Sequence, residues 1–359
     1  MTPRANVYFC GAGGSTQGLV DAGFVCVGFD VWPVAVATHA ANGHPATIHD
    51  LSNPALDGLL PECELAWFST PCQPFSAAGE GEGEFDERDG FPWALRIIGK
   101  TLPAVVIFEN VKGLTFAKHR AYLSGILASV RALGYTLDHK VLNCADYGVP
   151  QTRERFICVA RRDGGRITWP VVTHTETAGM FTEPWVSMAD ALGWAGDVQV
   201  TAGRDANATV RSASKPAPTV LGRKDPNAWT WLDRRTNSTY GGGEVGPTAP
   251  VSTDRPSPAV VTSNGQWLWV HQRPATSING DCRVSAPGRH DPEVSGSQQA
   301  DAIRVSIDEL AILQGFPKGW VWCGNKTEQA RQVGNAVPAR LAQVVAQANM
   351  PIMEVARAS

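Results

Sequence analysis

No apolar run in this 359-residue sequence is long enough to span a bilayer, and residues 1–6 carry none of the apolar stretch of a secretory leader. A soluble, cytoplasmic protein is expected. The eight cysteines, at positions 10, 26, 63, 72, 144, 158, 282 and 323, form no CxxC pair and no Cys/His cluster. That argues against a disulfide framework and a zinc site, so no metal is expected and a reducing compartment fits. The formal net charge is only −3, so no global basic field announces a polyanionic partner. Any such partner must meet a local basic surface. Charged residues are scarce at 18% beside 43% hydrophobic ones, which leaves ample material for a packed core. The length allows about two domains.

What is present reads first as alternating strands and helices. Asn6-Val7-Tyr8 leads through Phe9-Cys10 into Gly11-Ala12-Gly13-Gly14, a strand running into a glycine turn that lets backbone approach a ligand. Sixteen residues past Gly14, the strand Val25-Cys26-Val27-Gly28-Phe29 ends in Asp30, placed to take the two hydroxyls of a ribose. Trp32 either covers an adenine ring or packs in the core, and the two readings weigh equally. After a helix over 33–42, Asp50 stands near another strand end. There it either accepts from an adenine amino group or caps a turn.

The apolar run Leu65-Ala66-Trp67-Phe68 ends at Ser69-Thr70-Pro71-Cys72-Gln73-Pro74-Phe75-Ser76. A thiol at a strand's carboxyl end is where an open α/β sheet places a nucleophile, and the Gly/Glu-rich stretch 79–90 beyond it reads as a loop that closes. Taken alone, Cys72 is more simply a small buried hydrophobe. Helical periodicity over 91–101 precedes Ala104-Val105-Val106-Ile107-Phe108, a central parallel strand that ends in Glu109-Asn110-Val111. A carboxylate at a buried strand tip is costly unless used or paired, and a raised pKa would make it a proton donor near neutrality. A helix over 118–133 follows. Strands over 136–142 and 156–160 flank Gln151-Thr152-Arg153-Glu154-Arg155. Its two arginines fall on one side of a strand and either hold an anion or carbonyl or form surface ion pairs. Up to about residue 162 this is a doubly wound, mostly parallel α/β sheet.

Residues 163–302 differ in texture, being rich in Gly, Pro, Ser, Thr and Trp, with short strand-like segments. From Arg204 to Arg289, eleven Lys and Arg face six acids, a modest footprint for a polyanion. Trp229, Trp231, Trp267 and Trp269 read mainly as core. A helix capped by Ser306 and Glu309 follows. Gly334-Asn335-Ala336-Val337-Pro338 opens a last helix over about 339–349.

Phe9-Cys10-Gly11-Ala12-Gly13-Gly14, Pro71-Cys72-Gln73, Glu109-Asn110-Val111, Gln151-Thr152-Arg153-Glu154-Arg155 and Gly334-Asn335-Ala336-Val337-Pro338 occur in this order. Together they resemble the ordered blocks of the DNA (cytosine-5)-methyltransferase family over nearly the whole chain. The resemblance implies a Rossmann-like S-adenosylmethionine-dependent methyltransferase domain over 1–162 and 325–359. A smaller, mostly β or irregular target-recognition domain with its hinge would occupy 163–324. Cys72 would be the nucleophile, Glu109 would hold ring nitrogen 3 and the exocyclic amine, Arg155 the base carbonyl, and Arg153 would position cysteine or base. Phe9, Gly11, Gly13, Gly14, Asp30 (where the family has a glutamate), Trp32, Asp50, Leu51, Pro71, Asn335 and Ala336 would bind S-adenosylmethionine, released as S-adenosylhomocysteine. Gln73, Ser76 and Arg88 would contact DNA around a flipped cytosine. The acids at 80, 82, 84, 86 and 87 would face away from phosphates. Double-stranded DNA is the implied partner, with a cognate restriction endonuclease as a second, and a monomer is expected. An RNA methyltransferase of the same family, a silent DNA-binding relative and a nicotinamide-dependent dehydrogenase are the competing readings.

Overall fold

A computed structural model of the protein describes residues 2–71, 89–162, 166–193, 198–202, 209–212, 214–218, 229–233, 257–261, 267–270 and 306–358. The chain alternates β1 (Arg4–Tyr8), α1 (Gly14–Asp21), β2 (Val25–Asp30), α2 (Pro33–Ala41), β3 (Ala46–Ile48) and β4 (Leu65–Ser69). It continues through α3 (Phe91–Thr101), β5 (Val105–Val111), α4 (Arg120–Ala132), β6 (Thr136–Asn143), β7 (Gln151–Thr152) and β8 (Glu154–Arg161). Seven strands form one sheet in the order β3-β2-β1-β4-β5-β8-β6. Strands β3 to β5 pair in parallel, and β8 runs antiparallel between β5 and β6.

The continuous apolar runs are explained by burial on both faces. Val7, Trp67, Ile107 and Val159 point to the side covered by Leu19 and by Leu341 and Val345 of a C-terminal helix. Their neighbours Tyr8, Phe68, Phe108 and Cys158 point to the side covered by Ile97, Ile98, Leu123 and Ile126. Each such aliphatic or aromatic side chain contributes about 1.5–3 kcal/mol on leaving water. That helix, α8 below, meets α1 at very short range. A Cβ on Gly18 would lie 2.1 Å from the Ala339 carbonyl oxygen, so this face of α1 accepts only glycine there.

Beyond the sheet come the short β9 (His174–Thr175), β10 (Glu183–Pro184) and α5 (Met188–Leu192). The described strands of the next region are β11 (Val198–Ala202), β12 (Thr209–Ser212), β13 (Ala217–Pro218), β14 (Trp229–Asp233), β15 (Ser257–Val261) and β16 (Trp267–Val270). β12-β11-β14 form an antiparallel sheet, β15 pairs with β16, and β13 pairs with β7. The chain ends in α6 (Ile307–Leu313), α7 (Lys326–Asn335) and α8 (Ala339–Ala358). Ser306 and Glu309 form the expected capping box on α6. Asn325 and Glu328 form a second one on α7, a helix the periodicity did not reveal. A third apolar cluster joins Met188, Ala217, Leu310, Leu313, Phe316 and Val333 to Ala12 of the first glycine turn. Among the described residues no helix is long and apolar enough to cross a membrane.

Candidate active site

Register places the site. Tyr8 of β1 is paired with Phe68 of β4, so Phe9-Cys10-Gly11 and Ser69-Thr70-Pro71 leave the sheet side by side. The chain runs from β1 to β2 on one side and from β4 to β5 on the other. This is the topological switch point, the crevice where open α/β sheets bind ligands.

On β5 next door, Glu109 pairs in register with Ser69 and is buried. Arg155 of β8 donates from Nε to Glu109 Oε1 at 2.9 Å, and from Nη1 to the Glu154 carbonyl. Burial pushes the Glu109 carboxyl above its ordinary range, while Arg155, Arg153 and a hydrogen bond from Ser69 pull it back. A guanidinium nitrogen and a hydroxyl thus hold a buried carboxyl at the tip of the strand. The two arginines are thus buried, and the surface ion-pair reading of their strand does not apply.

Asn110 pins the loop that begins at β4. Its amide nitrogen donates to the Thr70 carbonyl at 3.2 Å and to the Thr70 hydroxyl at 2.9 Å. Its side-chain oxygen accepts from the Val111 N–H. Thr70 is buried and stands two residues before Cys72.

A second network ties distant blocks together. Gln151 donates to the Leu313 carbonyl and to Gln314 Oε1. Gln314 donates to the Ala336 carbonyl at 2.5 Å, and Arg153 Nη2 donates to the Gly334 and Ala336 carbonyls at 3.1 and 3.2 Å. Arg153 therefore braces the closing turn. Neither Thr70 nor Gln314 was singled out from sequence. Their signal, a polar residue buried at an element junction, appears only once the elements are placed.

The opposite side of the crevice carries the adenosine-type features. Gly11 (φ 51°) and Gly13 (φ 95°) are left-handed, as is Phe9 (φ 57°), an uncommon conformation for a residue with a Cβ. Nothing lies within 4 Å of where a Gly11 Cβ would stand, so this turn is open to a ligand. The Gly11 N–H donates to Asp30 Oδ2 at 2.8 Å and the Trp32 N–H to Oδ1 at 2.9 Å. The Val31 N–H also reaches this carboxylate, so three backbone donors hold it and a lone-pair direction stays for a hydroxyl. Burial raises the Asp30 carboxyl, opposed by the backbone N–H donors and by Arg331. An acid, an indole plane and an open backbone turn fit the nucleoside end of S-adenosylmethionine. Leu51 is buried and Asp50 exposed, its carboxylate taken by Ser52 N–H and Oγ. Phe9 stacks near Trp93, and a Cβ on Gly90 would press on Phe9 and Pro71. Gly14 abuts Val337, and Asn335 ends α7 on its exposed side.

Cys72, Gln73, Ser76 and Arg88, with the acids at 80–87, lie outside the described residues. Burial raises the thiols of Cys10, Cys26, Cys63, Cys144 and Cys158, four of them to about 12. Even Cys144, beside Arg153 and Arg155, is a neutral packing thiol. Among the described residues no three His, Cys, Asp or Glu side chains gather as a metal site.

The model of the family described as C-5 cytosine-specific DNA methylase matches residues 8–350. The chain is 31% identical over 352 residues to the Type II methyltransferase M1.HphI of Haemophilus parahaemolyticus, covering 95% of this chain and 84% of that protein. It is 27% identical to the Type II methyltransferase M.NaeI of Lentzea aerocolonigenes, covering 93% and 71%. Among solved structures, a prophage-encoded DNA modification methyltransferase of E. coli superposes with a TM-score of 0.58 at 17% identity, covering 98% of this chain and all of the other. A Spodoptera frugiperda DNMT2 variant superposes with a TM-score of 0.57 at 15% identity, over 98% and 100% of the two chains.

Proposed function

This chain belongs to the C-5 cytosine-specific DNA methylase family and is an enzyme of that class, and from this premise we propose that it methylates carbon-5 of a cytosine within a specific sequence of double-stranded DNA. The observation that supports this most is the Glu109–Arg155 pair standing in register with Ser69 of the strand that leads to Cys72.

In this reading the cytosine leaves the duplex, because carbons 5 and 6 are out of reach within the stack. The Cys72 thiolate adds to carbon-6, which makes carbon-5 electron-rich. Glu109, whose carboxyl burial raises against the pull of Arg155 and Arg153, holds ring nitrogen 3 and the exocyclic amine as density moves onto the ring. Arg155 fixes the Glu109 carboxyl and reaches the base carbonyl. Asn110 anchors Thr70, two residues before Cys72 in the sequence. S-adenosylmethionine, when bound by the Phe9–Gly14 turn, Asp30 and Trp32, supplies the electrophilic methyl group. The carbon-5 proton then passes to a base, the Cys72–carbon-6 bond breaks, and the thiolate is restored with the ring double bond. Residues 163–324 would supply target recognition, in keeping with their short antiparallel strands. The Type II names of the relatives support a place beside a restriction endonuclease.

Purified protein with a tritiated methyl donor should label double-stranded DNA, and nuclease digestion should place the label in 5-methylcytosine. Label in transfer RNA and none in DNA would transfer the proposal to RNA.

A further inference from the structure

Arg331 has no part in the reaction drawn above. It lies on the exposed side of α7, one helical turn before Asn335. Its guanidinium carbon is 4.6 Å from the centroid of the Trp32 indole. Trp32 is itself held by its N–H bond to Asp30 Oδ1, and it is the N-cap of α2. Three groups from two distant parts of the chain therefore converge: a carboxylate, an indole and a guanidinium.

We infer that Arg331 is a positioning residue of the cofactor site, stacking on one face of Trp32 and fixing the indole plane that receives the adenine on its other face. This rests on the cofactor reading of Asp30 and Trp32. A guanidinium is suited to the place, being planar, permanently charged and weakly hydrated. Over an aromatic face it keeps its electrostatic attraction while its edges stay in water. Its charge also favours the ionised Asp30, the form that accepts from ribose hydroxyls.

A purely structural role explains the contact less well. The segment before α7 is fastened to α2 without it. Asn42 Nδ2 donates to the Val321 carbonyl, the Val321 N–H donates back to Asn42 Oδ1, and the Cys323 N–H donates to Thr38 Oγ1, each at 2.9 Å. Gly324 also approaches α2 so closely that a Cβ there would meet Val34 at 2.6 Å. Removing an exposed guanidinium should leave that docking intact.

The test is calorimetric titration of S-adenosylhomocysteine into the whole protein and its variants. Arg331→Ala should weaken binding about three- to tenfold, the range of a partly exposed cation–π contact. Arg331→Lys should recover part of the loss, since it keeps the charge without the planar stack. In a Trp32→Ala background, Arg331→Ala should add less than about twofold, because its contact is already gone. The KM for the methyl donor should rise with the dissociation constant, kcat should fall by less, and melting temperatures should stay together. Unchanged affinity in Arg331→Ala, or a loss that adds fully to Trp32→Ala, overturns the proposal. If Asp30→Ala also binds normally, the cofactor site is misplaced and the proposal falls with it. If Asp30→Ala is weakened and Arg331→Ala is not, only the proposal fails.

Discussion

The amide nitrogen of Asn110 donates to both the carbonyl and the hydroxyl of Thr70, so the tip of β5 holds the start of the loop that carries Cys72. Glu109, the residue before, faces the reacting ring in the proposed mechanism. One strand end thus carries Glu109 and anchors Thr70, two residues before Cys72 in the sequence. Asn110→Ala should leave two buried polar groups of Thr70 unmatched, at about 1–3 kcal/mol. We expect methyl transfer to fall about ten- to a hundredfold in kcat, with S-adenosylhomocysteine affinity unchanged. Single-turnover kinetics beside a binding titration would check both halves.

Arg155→Ala removes the partner of Glu109, whose side chain is 9% exposed. Breaking a buried pair from one side costs about 3–5 kcal/mol. Denaturant unfolding should show that loss. A paired Glu109→Gln, Arg155→Met variant should recover much of the stability and none of the activity, because it removes the charge and the donor together.

Burial raises the Asp30 carboxyl above 3.8, and the ribose-binding form is the carboxylate. Affinity for S-adenosylhomocysteine should therefore decline as pH falls toward that raised value, beginning at a higher pH than for an ordinary aspartate. Asp30→Asn should bind weakly with no such decline. Titrations between pH 7.5 and pH 5 would show it.

His39 underlies the glycine turn, with Nδ1 3.2 Å from Cys10 Sγ. Burial first, and His44 second, lower its pKa from 6.5 to about 3. The unfolded chain takes up this proton below pH 6.5 and the folded chain only near pH 3. The stability from neutral His39 is complete above pH 6.5 and drains away as pH falls toward 3, at no more than about 1.4 kcal/mol per pH unit. His39→Gln should flatten that slope in denaturant unfolding at pH 7.5, 5.5 and 4.5.

The sheet was legible because its strands are long apolar runs ending in glycine, acid or proline. Val105–Val111 and Phe91–Thr101 appear where patterning put them. Helix α7 was not, since Lys326-Thr327-Glu328-Gln329 is polar on every face and only its Asn325 cap marks it. The last helix reaches Ala358 rather than stopping near 349, and runs through Pro351. In the candidate site, Glu109, Arg153, Arg155 and Asp30 are the residues that strand ends and block order point to, and the structure places all four buried or half-buried at the carboxyl end of the sheet or beside it. The bracing contacts could not be read from the sequence. Thr70 meets Asn110 across 40 positions, Gln151 meets Gln314 across 163 and Arg153 meets Gly334 across 181.

In the proposed mechanism Cys72 is the nucleophile that makes this protein a DNA cytosine methyltransferase. Bisulfite sequencing of plasmid DNA from a methylation-deficient host expressing the protein tests it most directly, with Cys72→Ala alongside. The account expects cytosines protected within one short recurring sequence, and none protected with Cys72→Ala. No protection by the wild-type protein, or the same protection by both, would contradict it.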